Sequence, residues 1–368
     1  MTVPFVDLRA QYLDIKSEID AAINNVLTDT AFIRGKYVEQ FSQDYAQAYG
    51  VRHVIPCGNG TDSLYIIMKM LGIGPGDEVI TVANSWISSS ETISQTGAKV
   101  VFADVHPDYF SINEELIPDL ITSRTKAILA VHLQGQMCAI DKISEICKAH
   151  GIYLIEDCAQ SHFSKLDDRA AGLWGIAGSF SFFPGKNLGA YGDAGCIITN
   201  NDELAEKCNM FANHGALIKH QHKMEGINSR LDGLQAAILS AKLPFLHDWI
   251  EARIRHAQTY DRLLSGIDEI VIPKVRPNTR HTYHLYVVRA QKRDELRDYL
   301  TQKGIATSIH YPIPLPFMEA YSYLGYERSD FPIVAQHQRE ILSLPIYPEM
   351  NENMIRTVAD AIRNFYAQ

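Results

Sequence analysis

Between residues 9 and 264 the chain alternates short apolar runs with longer stretches in which apolar residues return every three or four positions. The short runs fall at 51–56, 78–82, 99–103 (KVVFA), 127–132 (AILAVH), 152–155, 180–183 and 194–199 (AGCIIT). Their length and residue types predict strands. Helical periodicity covers 9–27, where Ile15, Ile19, Ala22, Ile23 and Val26 share a face, and then 41–49, closed by Gly50. It returns at 64–71 (LYIIMKML), around Ile87 and Ile93, and at 141–150, 202–211, 229–243 and 249–264. Strands separated by helices predict an α/β fold whose mostly parallel sheet is covered by helices on both faces. From about residue 265 the texture changes. Short strands at 269–272 and 283–289, a charged helix at 292–303 and a final helix at 354–365 read as a small α+β domain. The expected division is a large domain, 1–248, and a smaller C-terminal domain, 249–368, with helix 249–264 as the hinge.

Two of these strands lead into residues that carry chemistry. Strand 152–155 runs into Glu156 and Asp157, with Gln160 just beyond, and run 180–183 delivers Lys186 into a glycine-rich loop. Ligands of α/β sheets bind in crevices outside the carboxyl ends of strands. A lysine there with an acid partner points to Schiff-base chemistry on a pyridine cofactor, the acid facing the ring nitrogen. Taken singly, the two residues also read as a surface lysine and an acid capping the next helix. Between strand 51–56 and helix 64–71 lies Cys-Gly-Asn-Gly-Thr-Asp-Ser, 57–63. Free amides and the positive end of a helix dipole would meet there, which suits an anion. Thr61 and Asp62 equally suit a plain helix cap. The stretch is neither GxGxxG nor a P-loop.

Composition narrows the classes. The chain has 368 residues, 46% hydrophobic and 21% charged, which fits a soluble globular protein with room for a second domain. A formal charge of −9 and a pI near 5.9 argue against a nucleic-acid partner. They leave local phosphate binding open. No apolar run approaches the roughly 18 residues that a membrane span needs. The first twenty or so residues are polar and amphipathic rather than signal-like, so the cytoplasm is the expected compartment. Six cysteines (Cys57, Cys138, Cys147, Cys158, Cys196 and Cys208) show no CxxC spacing and read as small hydrophobes. His214, His220 and His222 sit in a polar stretch, 213–228, without the further ligands a metal requires. No metal is expected, and the stretch reads as a mobile, solvated loop.

GNGTDSL, GPGDEVI, the acid of LIEDCAQ, FSFFPGKNLGAYGDAG and GINSRLDGLQAAIL follow one another in this order. Together they resemble the fold-type I, pyridoxal 5'-phosphate (PLP)-dependent sugar aminotransferases of the DegT/StrS-like family, over essentially the whole chain. The resemblance implies PLP as cofactor, with Lys186 as the residue that holds it covalently and later moves the proton. Asp157 would partner the pyridine nitrogen, Gln160 would contact the 3-oxygen of the ring, and Trp86 would stack on the ring. Gly60, Thr61 and Ser181 would hold the phosphate. Asn228 would reach the phosphate of the neighbouring subunit's cofactor, which implies a homodimer with shared active sites. Gly185, Gly189 and Gly192 would let the backbone pass close to the cofactor and take positive φ. Trp86 also reads as plain core.

A sugar 3-dehydratase branch of the family carries histidine where Lys186 stands, so the resemblance favours transamination. The chain departs from many relatives at Gly35-Lys36, where Gly-Pro is usual, and at Trp86, where Phe or Tyr is common; both bear on substrate fit. IATSIHYPIPL places His310 and Tyr311 in the segment that the family lays over the sugar. Its His-Tyr-Pro-Ile-Pro form looks more like enzymes that aminate C3 of a hexose than C4. His310 also reads as a structural hydrogen bond under the Pro312/Pro314 turn. Arg34 is the first candidate for the nucleotide diphosphate, with Arg230 and Lys36 as further ones. The implied reaction is amination of a nucleotide-linked keto-sugar, 3-keto over 4-keto, with L-glutamate as donor, for a surface polysaccharide or glycan. A non-catalytic PLP-binding sensor or scaffold and a PLP sugar dehydratase are the alternatives.

Overall fold

The computed structural model describes residues 2–367. Its first nine strands are β1 His53–Cys57, β2 Glu78–Val82, β3 Lys99–Ala103, β4 Thr125–Val131, β5 Tyr153–Asp157, the short pair β6 Lys165–Leu166 and β7 Arg169–Ala170, then β8 Ala177–Ser181 and β9 Gly195–Thr199. Seven of them form one sheet in the order β1-β9-β8-β5-β4-β2-β3. Every pair from β3 to β8 is parallel, and β9 runs antiparallel to both neighbours. Six of the seven strands therefore share one direction, and the residues that follow β1, β5 and β8 meet at one edge. Strands such as β2 and β9 are buried at every position, so their sequences do not alternate apolar with polar, and the few polar residues they carry, such as Glu78 and Thr81, are hydrogen-bonded.

Where local pattern and tertiary pairing conflict, pairing decides. The helical pattern at 229–243 becomes a helix only at Gly233–Lys242. Residues before it stay extended because Asp232 bridges Ile33 and the Gly233 amide donates to the Phe32 carbonyl at 2.7 Å. The pattern at 9–27 breaks at Ile15 into Leu8–Asp14 and Lys16–Asp29, which lets Ile15 and Ile19 both pack on Ile238. Strand β8 begins at Ala177, earlier than its apolar run. Gly178 lies so close to Gly172 that a Cβ would approach its Cα to 2.5 Å, so small residues conceal the strand. In place of the expected loop around His220 and His222 there is a short hairpin, β10 Ala216–Ile218 with β11 Gln221–His222.

Helix Leu246–Leu264 starts one turn before its predicted start, after a turn at Pro244. Beyond it come β12 Ile270–Val271, β13 Thr279–Arg280, β14 Tyr286–Ala290 and β15 Ile341–Leu344. Strands β12, β14 and β15 form an antiparallel sheet, and β13 pairs with β6 of the larger unit. This sheet, the long helix and the last helix, Glu352–Tyr366, enclose a second core that includes Tyr260, Tyr286, Leu300, Leu342 and Val358, joined by Val3. Among the described residues no helix is long and apolar enough to cross a membrane.

Candidate active site

The turn after β1 is shaped by what its glycines permit. Asn59 caps helix Gly60–Met70 by accepting from the Asp62 amide at 2.8 Å, a role expected of Thr61 or Asp62. Thr61 Oγ1 instead pairs with Ser88 Oγ at 2.7 Å. A Cβ on Gly60 would stand 2.8 Å from Ser181 Cβ, and one on Gly195 would stand 2.4 Å from the carbonyl carbon of Asn59. The helix start is thus pressed against the end of β8 and the beginning of β9, with Ser181 beside Gly60. The leading amides of a helix lack intrahelical partners, and this end presents them beside a serine hydroxyl.

Asp157, buried at the end of β5, accepts from Ser89 Oγ at 2.8 Å through Oδ2 and from the Ala159 amide at 3.1 Å through Oδ1. Two donors from two elements fix its orientation. Gln160 is fixed as tightly. Its Oε1 accepts from the Gln134 amide at 2.6 Å, and its Nε2 donates to the Tyr311 hydroxyl at 2.9 Å. Tyr311 lies 5.8 Å from Trp86, ring to ring. Trp86 is 60% exposed, which excludes the plain-core alternative.

Lys186 follows β8 in a turn closed by its own amide on the Phe183 carbonyl at 2.8 Å. The residue keeps some exposure, yet protein surrounds its amine. Burial lowers its pKa from 10.5 to about 8, and the charge of Asp157 pulls the other way. Three imidazoles respond to the same ammonium. Burial first and Lys186 second lower His162 to about 3 and His310 to about 4, and they hold His284 well below its ordinary value. The rings that feel the amine are therefore held neutral, and Asp157 is the carboxylate that acts on it. Neither ring nitrogen of His162 has a protein partner. None of Gly185, Gly189 and Gly192 takes the expected positive φ. The need at Gly189 is space, since a Cβ there would meet the Pro184 carbonyl at 2.2 Å.

The remaining candidates sit around or apart from this crevice. His310 Nδ1 pairs with Ser343 Oγ of β15 at 2.8 Å, and the ring stacks on Phe5. The proline turn is held by a different residue, Gln338, which donates to the Pro312 carbonyl at 2.7 Å. Arg34 and Arg230 come together in another cavity, of about 710 Å³, between helix Lys36–Tyr49, β1 and helix Asp202–Phe211. Arg34 is lowered by burial and then by the charge of Arg230. Lys36 turns away to an ion pair with Asp29 at 2.6 Å. Asn228 is exposed, next to Ser229, whose hydroxyl accepts from the Gly58 amide at 2.9 Å. Ser89, Gln134, His162 and His284 were not anticipated; no spacing in the sequence links them to Asp157 or Lys186. One buried group, His132, Glu156 and Cys158, has its ligand atoms within 4.8 Å of one another. Its carboxylate is already taken up by His132 and by the amides of Gly172, Trp174 and Gly175.

This crevice has the donor set for a phosphorylated pyridine aldehyde: an amine of lowered pKa, an oriented carboxylate, an exposed aromatic face and a helix start beside a serine. Together with the sheet order, it defines a fold-type I PLP enzyme. The profile described as the DegT/DnrJ/EryC1/StrS aminotransferase family matches residues 13–363, and the chain belongs to that family of PLP-dependent sugar aminotransferases. It is 44% identical over 368 residues to the "pleiotropic regulatory protein" of Geobacillus stearothermophilus, covering 100% of this chain and 99% of that one. It is 38% identical over 363 residues to "dTDP-3-amino-3,4,6-trideoxy-alpha-D-glucose transaminase" of Streptomyces venezuelae, covering 99% and 96%. The crystal structure of S. venezuelae DesV superposes with a TM-score of 0.98 at 38% identity, over 100% of this chain and 99% of that one. The protein is a sugar aminotransferase.

The lowered amine makes a measurable prediction. Only neutral Lys186 attacks the cofactor aldehyde, so capture of PLP by cofactor-free protein rises with pH and levels off above about 8. An unperturbed lysine would keep gaining up to about 10.4. Stopped-flow growth of the visible band at a series of pH values reads the midpoint.

Proposed function

We propose that the protein transfers the amino group of L-glutamate to C3 of a nucleotide-linked keto-hexose, as a homodimer with shared active sites in the cytoplasm, on a route to a surface polysaccharide or other glycan. The observation that carries the chemistry is the buried amine of Lys186, just after β8, which feels the charge of the doubly hydrogen-bonded carboxylate of Asp157 at the end of β5. PLP, when bound, supplies an electron sink and a carbonyl that carries the amino group between donor and acceptor.

The protein's own groups do the rest. The Asp157 carboxylate holds a proton on the ring nitrogen, and Ser89 and Ala159 keep it aimed there. Gln160 faces the 3-oxygen while anchoring Tyr311, and Trp86 offers its open face to the ring. Gly60, Thr61 and Ser181 receive the phosphate at the helix start. Lys186 Nζ takes the proton from the amine-bearing carbon of the donor and later returns one to the acceptor carbon. The three neutral imidazoles add no positive charge that would compete with Lys186 for Asp157.

Amination at C3 is supported by the His310-Tyr311-Pro312-Ile313-Pro314 form and by the dTDP-3-amino name of the Streptomyces relative. Arg34 is assigned to the diphosphate, and His310 with Tyr311 to the sugar. The homodimer is supported by exposed Asn228 and by Trp86 and Phe183, 60% and 56% exposed beside the crevice, a surface that a second subunit would cover. The name of the Geobacillus relative favours a second reading, a PLP-binding regulator.

Incubation of cofactor-loaded protein and L-glutamate with dTDP- and UDP-linked 3-keto and 4-keto hexoses, with NMR of the products, tests both readings. The expected result is an amino group at C3, with 3-keto sugars turned over about tenfold or more faster than 4-keto. Preferred amination at C4 would overturn the regiochemistry. Binding of the sugars without any amino product would favour the regulator.

A further inference from the structure

Lys242, the last residue of helix Gly233–Lys242, is fully buried and has no part in the roles above. Taking an ammonium out of water is costly unless other groups replace the lost solvation, and at this position a methionine of similar length would pack without that cost. Burial lowers its pKa to about 8, against the opposing charge of Glu349. What the ammonium touches is the loop that follows Lys186. Its Nζ donates to the Gly189 carbonyl at 2.7 Å and lies 4.2 Å from the centre of the Tyr191 ring.

The same helix holds that loop a second time. Gln235, two turns earlier and on the same face, accepts from the Tyr191 amide at 2.8 Å through Oε1. On its other side the loop closes on itself. The Ala190 amide donates to the Phe182 carbonyl and the Lys186 amide to the Phe183 carbonyl, both at 2.8 Å. Gly189 meanwhile packs against Pro184 with no room for a Cβ. A shift of Gly189 is therefore passed to Pro184 and on to Lys186.

We propose that Lys242 is a positioning residue for this transaminase: by donating to the Gly189 carbonyl it sets the loop so that the Lys186 amine faces Asp157. This rests on Lys186 being the residue that captures PLP.

The test uses the full-length protein with Lys242→Met and Lys242→Gln; glutamine keeps a donor without the charge. Hydrogen exchange of the cofactor-free proteins is followed over amides 186–192, and the rate of PLP capture by its visible band. In Lys242→Met, exchange in 186–192 is expected to rise about tenfold, with the rest of the fold unchanged, and capture to slow about tenfold. Lys242→Gln is expected to recover most of both. Wild-type exchange and capture in both variants would overturn the proposal, as would faster exchange spread evenly over the whole fold in both. If Lys242→Met does not fold, glutamine decides: capture near wild type with a protected loop supports the proposal, and capture as slow as expected of the methionine variant overturns it. Loop exchange that responds as expected while no variant, nor the wild type, captures PLP would instead remove the assignment of Lys186.

Discussion

Lys186→Ala is expected to lower amino transfer by about ten-thousandfold or more while leaving the fold intact. The variant lacks both the covalent hold on the cofactor and the amine that moves the proton, and each is worth several orders of magnitude. Stability does not suffer, because the wild-type site keeps an amine in surroundings that depress its pKa to about 8, and alanine relieves that penalty. Two measurements separate the losses. PLP should leave the variant on dialysis yet stay with the wild type, and the melting temperature should hold or rise. Retained turnover in Lys186→Ala would place the amine elsewhere.

The second large effect belongs to Asp157. Asp157→Asn keeps the size of the side chain and an oxygen for the Ser89 hydroxyl, which donates to the wild-type carboxylate at 2.8 Å. What it removes is the negative charge opposite the ring nitrogen. The expected loss is about a thousandfold in turnover, with little change in binding of the phosphate end, which is held at the helix start near Gly60. The same substitution removes the one charge that raises Lys186. The midpoint for cofactor capture should therefore move below about 8 in Asp157→Asn, and a pH series on the variant checks the direction. A midpoint that moves upward would contradict the pairing of the two residues.

Much of this architecture is legible along the chain because parallel strands buried on both faces are written as unbroken apolar runs. The runs at 78–82, 99–103 and 127–132 are such strands, and 152–155 ends beside the acid that the fold places at a crevice. The glycine-rich turn at 57–63 and the lysine loop are legible because close backbone approach demands small residues at fixed places. Other parts depend on contacts that no local pattern records. Strand β15, Ile341–Leu344, carries only a short apolar signal and becomes a strand by pairing with β14. Helix Gly233–Lys242 is shortened by the bridge between Asp232 and Ile33, far apart along the chain. Ser89 orients Asp157 from within a serine run on another element, and His162, His284 and His310, from three separate segments, all feel the charge of Lys186. Arg34 and Arg230 show the same limit. They are named for one diphosphate together with Lys36, and only the fold shows that the two arginines face one cavity while Lys36 pairs with Asp29.

Lys186 and Asp157, as proposed, form one site for reversible amino transfer. The most direct test is to add L-glutamate to the cofactor-loaded protein and follow the visible absorbance of the lysine-linked cofactor. The band is expected to fall while about one equivalent of 2-oxoglutarate is released per site, and a nucleotide-linked keto-sugar is then expected to restore it. A band that stays unchanged on adding glutamate, with PLP demonstrably bound, would rule out amino transfer from glutamate at Lys186 and Asp157.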